Sequence, residues 1–348
     1  MKKFIIKILF YFIPFICIYG GYKFVCNNLS GDLGHIGQIP FGHHYNEYLQ
    51  QNYLTDYLVK DMPVAYYEKV YTSKNLKLVT IGDSFSQQGV IGYQNYLAHI
   101  LNDSIININK DNVNLQTAVS LLNSGLIDSS NCPILILEQV DRHLITGLCG
   151  IDFEMLYELP QNTENQQNES TNNKENKRNK SANKDAELYN LTSWIRLQCG
   201  YDNPVYKHNL KQDYFTHKFF SRKLYRYLND FIFRYTKTED IEKAKENLIL
   251  LNQKFSEKGI KMIFMIASDK YDVYRPFMTD NSLPTDTTTD GLSNLPDVCV
   301  INTKWMLQEM VRNGEKDVYM VNDTHWSYKA SKVVAEKLAK EIDLLQKR

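Results

Sequence analysis

The stretch Lys77–Gly89, KLVTIGDSFSQQG, decides the fold expected of this chain. Its first half is rich in β-formers, stops at Gly82 and is followed by Asp83 and Ser84. This pattern predicts a strand that ends in a sharp turn, with a helix beginning soon afterwards. Such a turn lifts a small side chain off the carboxyl end of a parallel sheet, where open α/β folds place their sites. Ser84 is therefore a candidate nucleophile, beside backbone N–H groups that can stabilise an oxyanion.

A second stretch, Val321–Ser327 or VNDTHWS, supplies the partners that a nucleophilic serine needs. A serine is a weak nucleophile unless a histidine takes its proton and a carboxylate orients that histidine. Residues two apart in an extended segment project to the same side, so Asp323 and His325 can form one hydrogen-bonded unit. Each motif alone also fits a capped helix or a surface ion pair. Together with Ser84 they favour a Ser-His-Asp site.

GDSF at 82–85 and DTHW at 323–326 resemble motifs of the SGNH (GDSL-type) esterase and acetyltransferase superfamily. Within it, the closest resemblance is to the DHHW and alginate O-acetyltransferase-like (AlgX/AlgJ-like) proteins of bacteria. The resemblance runs from about Leu76 to the C-terminus, apart from one insertion. Three further stretches support it: ILILEQVDR at 134–142, SDKYDVY at 268–274, and Val318-Tyr319 just before DTHW.

The resemblance implies acyl transfer through an ester on Ser84, with His325 as the base and Asp323 orienting it. Triad chemistry of this kind requires no metal or organic cofactor. The superfamily's usual further oxyanion-binding blocks are not recognisable here. For Glu138 and Arg142, a structural ion pair is an open alternative to a binding role. The candidates for oxyanion or substrate binding are Asp83, Asn107, Asn109, Glu138, Arg142, Lys270, Tyr271 and Trp326.

The same resemblance implies a substrate and a partner. It favours O-acetylation of an exported or cell-surface polysaccharide, with an integral membrane acyltransferase supplying the acyl donor. Two alternatives stay open: a carbohydrate acetylesterase of the same fold, and a non-catalytic scaffold of polysaccharide assembly. Residue types do not decide whether water or a sugar hydroxyl resolves the acyl-enzyme.

Residues 1–26 are expected to form a signal anchor. Lys2 and Lys3 precede an apolar run that is about long enough to span a bilayer. The alternatives are a cleaved signal peptide or a buried helix, but no small-residue cleavage site follows. Because lysines favour the cytoplasmic side, we expect a single pass through the bacterial inner membrane with the domain in the periplasm. Residues 27–75 are expected to form a juxtamembrane segment.

Strands that alternate with helices over residues 76–348 predict an α/β fold, a doubly wound α/β/α parallel sheet of about five strands. The family resemblance implies the flavodoxin-like strand order. Residues 48–71 are expected to contain helix that Pro63 interrupts, and residues 188–235 are expected to pack as helices. The expected strands are 76–81, 104–109, 133–140, 261–267 and 298–301, and the expected helices 94–101, 115–126, 239–258, 305–311 and 328–345.

Composition excludes some functions and isolates one segment. The chain has 348 residues and a formal net charge of 0, without the basic excess of a nucleic-acid binder. Six cysteines occur without a CxxC spacing, which argues against zinc, and a Cys149–Cys199 bridge stays open. Residues 161–187 are polar and low in complexity, which predicts a disordered insertion.

Overall fold

The structure is a computed structural model that describes residues 2–26, 49, 53–63, 78–109, 114–156, 196, 199, 205–227, 230, 233 and 235–347. Eight strands occur in these ranges, and six of them form one sheet in which every pair is parallel. The strands are β1 (Val59–Pro63), β2 (Val79–Gly82), β3 (Ile105–Asn109), β4 (Ile134–Val140), β5 (Val205–Asn209), β6 (Lys223–Tyr227), β7 (Lys261–Ala267) and β8 (Cys299–Asn302).

The large sheet has the order β1-β3-β2-β4-β7-β8. Without β1, this is the 2-1-3-4-5 order of flavodoxin-like folds, as the family resemblance implied. The chain reverses its direction of winding between β2 and β4, so a crevice opens at their carboxyl ends. Both candidate strand ends, at Gly82 and at Val140, therefore reach the place where such folds bind ligands.

Helices cover both faces of the sheet, because alternate residues of each strand point to opposite sides. In β4, Ile136 belongs to one buried cluster and Leu137 to the other. The first cluster includes residues of α2 and α8, and the second includes residues of α3, α4 and α5. The helices are α1 (Lys2–Cys26), α2 (Tyr93–Leu101), α3 (Asn114–Asn123), α4 (Asp141–Cys149), α5 (Thr238–Glu257), α6 (Lys270–Tyr274), α7 (Thr303–Arg312) and α8 (Tyr328–Lys347).

One predicted helix contains a strand instead. The helix expected over residues 48–71 is wrong at Val59–Pro63, which forms β1 at the edge of the sheet. This strand pairs in parallel with β3, from Val59 opposite Ile105 to Pro63 opposite Asn109. Proline lacks a backbone donor and is tolerated at an edge. The sheet therefore gains a sixth strand that local propensity did not predict.

The helices expected over residues 188–235 are also wrong in part. β5 and β6 form an antiparallel pair, with Val205 opposite Tyr227. The Arg226 guanidinium lies 4.6 Å from the centre of the Tyr206 ring on the facing strand. Cross-strand contacts of this kind stabilise a strand pair. The sequence of one strand does not show which segment it will pair with, so the pair was not predicted.

The N-terminal run is helical as expected, since α1 spans Lys2–Cys26 with Pro14 inside it. Among the described residues, no helix combines the length and the apolar character needed to cross a membrane. The predicted transmembrane helix is therefore not supported by the structure. Cys149 and Cys199 are free thiols, so no bridge joins them. Most of the expected juxtamembrane segment 27–75, including 27–48 and 64–75, lies outside the described residues. The whole insertion 161–187 also lies outside them.

Candidate active site

The turn after β2 is built by close packing at Gly82. A Cβ there would lie 2.0 Å from Ser86 Oγ and 2.4 Å from Glu138 Oε2, so only glycine fits. Asp83 then caps a 3₁₀ turn over Ser84–Ser86, because its carboxylate accepts a hydrogen bond from Phe85 N at 3.0 Å. This capped turn leaves the Ser84 side chain exposed at the carboxyl edge of the sheet.

Ser84, His325 and Asp323 form a continuous chain of hydrogen bonds. His325 Nε2 lies 2.8 Å from Ser84 Oγ, and His325 Nδ1 lies 2.6 Å from Asp323 Oδ1. The same carboxylate oxygen accepts from the His325 backbone N at 2.9 Å, which fixes the two side chains on one side of the segment. The arrangement gives the imidazole one partner that orients it and one whose proton it can take.

A buried lysine holds the loop that carries Asp323. Lys270 Nζ donates to the carbonyl oxygens of Met320, Val321 and Asp323, at 2.6, 3.0 and 3.0 Å. Lys270 is only 1 % exposed, so it does not reach the cleft beside Ser84. The structure therefore gives Lys270 a supporting place behind the site, in contrast to the substrate contact considered from the sequence.

Aromatic packing fixes the histidine from the other side. The Phe85 ring lies 4.8 Å from the His325 ring and 4.8 Å from the Trp326 ring, between centroids. Trp326 is fully buried and also packs against Tyr93 at 6.5 Å. Trp326 therefore joins the serine turn to the histidine loop from within the core.

Two carboxylates tie the serine turn to the end of β4. Asp83 Oδ2 accepts from Val140 N at 2.8 Å, and Glu138 Oε2 accepts from Asp83 N at 2.9 Å and from Ser86 Oγ at 2.8 Å. Glu138 is fully buried. Burial, and then the charge of Asp83, raises the pKa of the Glu138 carboxyl well above its usual range. Both residues hold the turn in place from beneath Ser84.

Asn107 does not have a free donor for an oxyanion. Its amide nitrogen donates to Ser86 O at 2.7 Å and to Asp61 Oδ1 at 2.9 Å, and its oxygen accepts from Thr80 Oγ1 at 2.9 Å. The predicted oxyanion role of Asn107 is therefore not supported, because one N–H already bonds the turn and the other bonds Asp61 of β1. Asn109 ends β3 beside Gly82, and its side chain is outside the described set.

Arg142 and Tyr271 have other partners than those considered from the sequence. Arg142 N donates to Asp269 Oδ2 at 3.0 Å, its guanidinium donates to the same carboxylate, and Asp230 lies 4.0 Å away. Burial opposes the charge of Arg142, but the two carboxylates hold its pKa above the usual value. Arg142 thus lies in a structural ion pair, the alternative that the sequence left open, but its partner is Asp269 and not Glu138. Tyr271 donates to Pro284 O within the core, away from the cleft.

Ser84 opens into a cleft of about 450 Å³. The sequence analysis did not single out the part of its wall formed by the start of α4, including His143 and Thr146. No local pattern indicated this wall, because it forms only where α4 begins at Asp141, directly after β4 ends at the switch point. Burial, and then the charge of Arg142, lowers the pKa of His143. The lining residues are Asp83, Ser84, Gln139, Val140, Arg142, His143, Thr146 and Gly147.

Comparison with known proteins identifies part of this architecture. The family model of the SGNH hydrolase-like domain of the acetyltransferase AlgX matches residues 227–347. This range includes Lys270, Asp323 and His325. Ser84 lies outside it, so the position of Ser84 beside His325 rests on the geometry of the structure alone. Comparisons with curated proteins and with solved structures gave no significant match. The family match confirms the resemblance drawn from the motifs: residues 227–347 are similar to the SGNH hydrolase-like domain of the acetyltransferase AlgX.

Proposed function

We propose that this chain is an O-acyltransferase that carries an acetyl group on Ser84 and passes it to a polysaccharide hydroxyl. The observation that carries the proposal is the hydrogen-bonded chain from Asp323 through His325 to an exposed Ser84 Oγ. It lies at the switch point of the sheet, where open α/β folds bind ligands. The AlgX-type family match supports acyl transfer or ester hydrolysis as the class of reaction.

The first half of the reaction forms the acyl-serine. His325 Nε2 takes the Ser84 hydroxyl proton as Oγ attacks the acyl carbonyl, and the Asp323 carboxylate stabilises the imidazolium. The ester bond of the donor then breaks, and its alcohol leaves with the proton held by His325. The backbone N–H of Ser84 is the candidate donor to the oxyanion, since it opens the capped turn.

The second half transfers the acyl group. A sugar hydroxyl gives its proton to His325 and attacks the acyl carbonyl, and Ser84 leaves and recovers the proton. The cleft beside Ser84 is lined by the polar side chains of Gln139, Arg142, His143 and Thr146. These side chains suit an acceptor that is rich in hydroxyl groups. If water takes the place of the sugar, the same steps make the chain a carbohydrate acetylesterase.

The acyl donor and the location belong to the same proposal. We infer from the family resemblance that an integral membrane acyltransferase delivers the acetyl group. The domain would then act outside the cytoplasm, at the bacterial inner membrane. Lys2 and Lys3, which begin α1 ahead of its apolar residues, support export of the chain.

One observation favours a different function. Because one N–H of Asn107 donates to Ser86 O in the turn and the other to the Asp61 carboxylate, Asn107 does not supply a second oxyanion donor. A chain that keeps the fold but lacks this donor can act as a non-catalytic scaffold of polysaccharide assembly. The 2.8 Å contact between Ser84 and His325 favours the enzyme over the scaffold.

A direct assay separates these functions. The purified full-length chain is given a chromogenic acetyl ester, with and without an oligosaccharide acceptor. We expect release of the chromogenic alcohol by the wild type and by Ser256→Ala, an exposed serine of α5, and loss of release in Ser84→Ala. Acetylated sugar identifies a transferase, and free acetate alone identifies an esterase. A folded wild type that releases nothing identifies the scaffold.

A further inference from the structure

A cluster of three buried carboxylates lies beside the acyl site without belonging to it. Asp141 begins α4, Asp272 lies in α6, and Asp286 lies in the loop before β8. One carboxylate oxygen from each lies within 4.8 Å of the others. The three residues are only 5 %, 3 % and 4 % exposed, so their charges are withdrawn from water.

A second observation points to a ligand in this place. A small cavity of about 30 Å³ is lined by Asp141 and Asp286, and also by Asp230 and Asp269. Asp230 is 3 % exposed, and within the described part of the chain neither of its carboxylate oxygens has a hydrogen-bond partner. Asp272 Oδ1 is likewise buried without such a partner in that part. A volume of roughly 10–15 Å³ already suffices for one water-sized particle.

The neighbouring cations contact the backbone or other carboxylates and do not pair with Asp141, Asp272 or the Asp286 carboxylate. Arg142 pairs with Asp269 and lies 4.0 Å from Asp230, and Lys304 Nζ donates to the Asp286 backbone carbonyl and to the Asp290 carboxylate. The carboxylate groups of Asp141, Asp272 and Asp286 therefore keep little direct compensation among the described residues. Buried charges of one sign are costly unless a counter-charge neutralises them.

The donor set specifies the kind of counter-charge. All donors are carboxylate oxygens, which hard divalent cations prefer, and the described cluster contains neither histidine nor cysteine. Calcium binds oxygen at about 2.3–2.6 Å, so ligands on opposite sides of one ion lie roughly 4.6–5.2 Å apart. The 4.8 Å limit of the cluster accommodates such an ion.

We propose that Asp141, Asp272 and Asp286 bind one hard divalent cation, with calcium as the preferred ion. The ion joins the first turn of α4 to α6 and to the loop at Asp286. Because Arg142 and His143 follow Asp141 directly, a bound ion fixes the cleft wall opposite Ser84. The site does not depend on the reaction proposed for Ser84.

Calorimetry on the full-length chain tests the site. After treatment with a chelator and its removal, the chain is titrated with calcium, and its melting temperature is recorded with and without the ion. We expect one calcium per chain and a rise in melting temperature. Magnesium and manganese are titrated in the same way to compare the hard cations.

A matched pair of variants locates the binding. Asp286→Asn removes the charge but keeps an oxygen that can accept from Thr288 N and Oγ1, as Asp286 Oδ1 does. Asp280→Asn changes an exposed aspartate that makes the same turn with Ser282. We expect at least a tenfold weaker calcium affinity for Asp286→Asn, and for Asp272→Asn as a second test, with Asp280→Asn unchanged. Absence of binding by the wild type to all three cations, or wild-type affinity in both cluster variants, overturns the proposal.

Discussion

At the scale of single residues, the site depends on a few close contacts, and each of them restricts which side chain can stand at its position. One carboxylate oxygen of Asp323 contacts both the backbone N–H and the imidazole Nδ1 of His325. The spacing of two residues between Asp323 and His325 therefore matters more than the identity of Thr324 between them. Behind Ser84, Gly82 and Glu138 approach so closely that the turn has no space for an added atom. The position of the Ser84 side chain is therefore fixed by the buried residues packed behind it.

Gly82→Ala should destabilise the fold and impair the site together. The new Cβ would approach Ser86 Oγ and Glu138 Oε2 far inside contact distance. Overpacking of this kind costs about 1–3 kcal/mol of unfolding free energy. Urea unfolding measures the loss, with Gly147→Ala in α4 as a control whose nearest neighbour is a leucine methyl at 3.2 Å. Equal stability of Gly82→Ala and wild type would contradict the packing described.

Glu138→Gln should change how stability depends on pH. Burial raises the pKa of Glu138 in the folded chain, so that chain keeps a proton which the unfolded chain releases above its ordinary pKa of 4.5. The stabilisation by this proton is complete below that value and is lost as pH rises through the folded-state pKa. Glutamine cannot ionise, so the stability of the variant relative to wild type should rise between about pH 5 and pH 8. A difference in unfolding free energy that stays constant over this range would contradict the raised pKa.

The residue types of the site could be predicted from sequence, but several of their contacts could not. Ser84, Asp323 and His325 were chosen by chemistry, and the structure brings them together. Asn107 was chosen as a polar residue near a strand end, and Lys270 because its loop resembles one of the family and follows a strand. Their donors bond backbone carbonyls and the Asp61 carboxylate, which only tertiary packing brings near, so no local pattern could exclude them as ligands for substrate.

At the scale of elements, the loops that carry the site are positioned by the ends of strands and by the buried ammonium group of Lys270. α6 places Lys270 under the histidine loop, where three carbonyl oxygens converge on its ammonium group. The strands and helices with strong periodicity, such as β4, β7 and α8, lie close to their predicted positions. β1 and the pair β5–β6 were missed, because each depends on a partner distant in sequence.

Lys270→Met should weaken both the fold and the catalysis. Methionine matches the length of the lysine stem but leaves the carbonyl oxygens of Met320, Val321 and Asp323 without this donor. Each buried polar group left unsatisfied costs about 1–3 kcal/mol, so we expect a loss of at least about 2 kcal/mol in unfolding free energy. The ester assay should show a lower kcat with little change in KM, because His325 is misplaced.

The control for this lysine is Lys329→Met at the start of α8. Lys329 also donates to a backbone carbonyl, that of Lys316 at 2.9 Å, and to the exposed Glu315. Its side chain is 25 % exposed, so its loss should cost less than about 1 kcal/mol. If the two variants behave alike in stability and kcat, Lys270 has no special role in holding the loop.

At the scale of the whole molecule, the strand order is what unites the site. Ser84 and His325 are 241 residues apart in sequence and meet where the winding of the sheet reverses. The doubly wound architecture was predictable because β4 and β7 read as continuous apolar runs, as buried parallel strands do. The wall of the cleft was not predictable, since it depends on how α4 follows β4 without a loop.

Export of the whole chain is a prediction at this scale. Two lysines and an apolar helix at the N-terminus should direct the domain out of the cytoplasm. A reporter fused after Arg348 that is active only outside the cytoplasm should therefore be active. Replacing residues 4–13 with a polar sequence should abolish this activity. An inactive reporter on a chain that is made at full length would contradict the proposed location.

The most direct test of the central claim is the mass of the peptide that contains Ser84 after reaction with an activated acetyl ester. The full-length chain is quenched in acid during turnover, digested and analysed by mass spectrometry. We predict an increment of one acetyl group on Ser84 in the wild type and none in folded Ser84→Ala, because His325 activates only this hydroxyl. An acetyl group found on another residue instead, or acetyl transfer at the wild-type rate by folded Ser84→Ala, would contradict the assignment of Ser84 as the nucleophile.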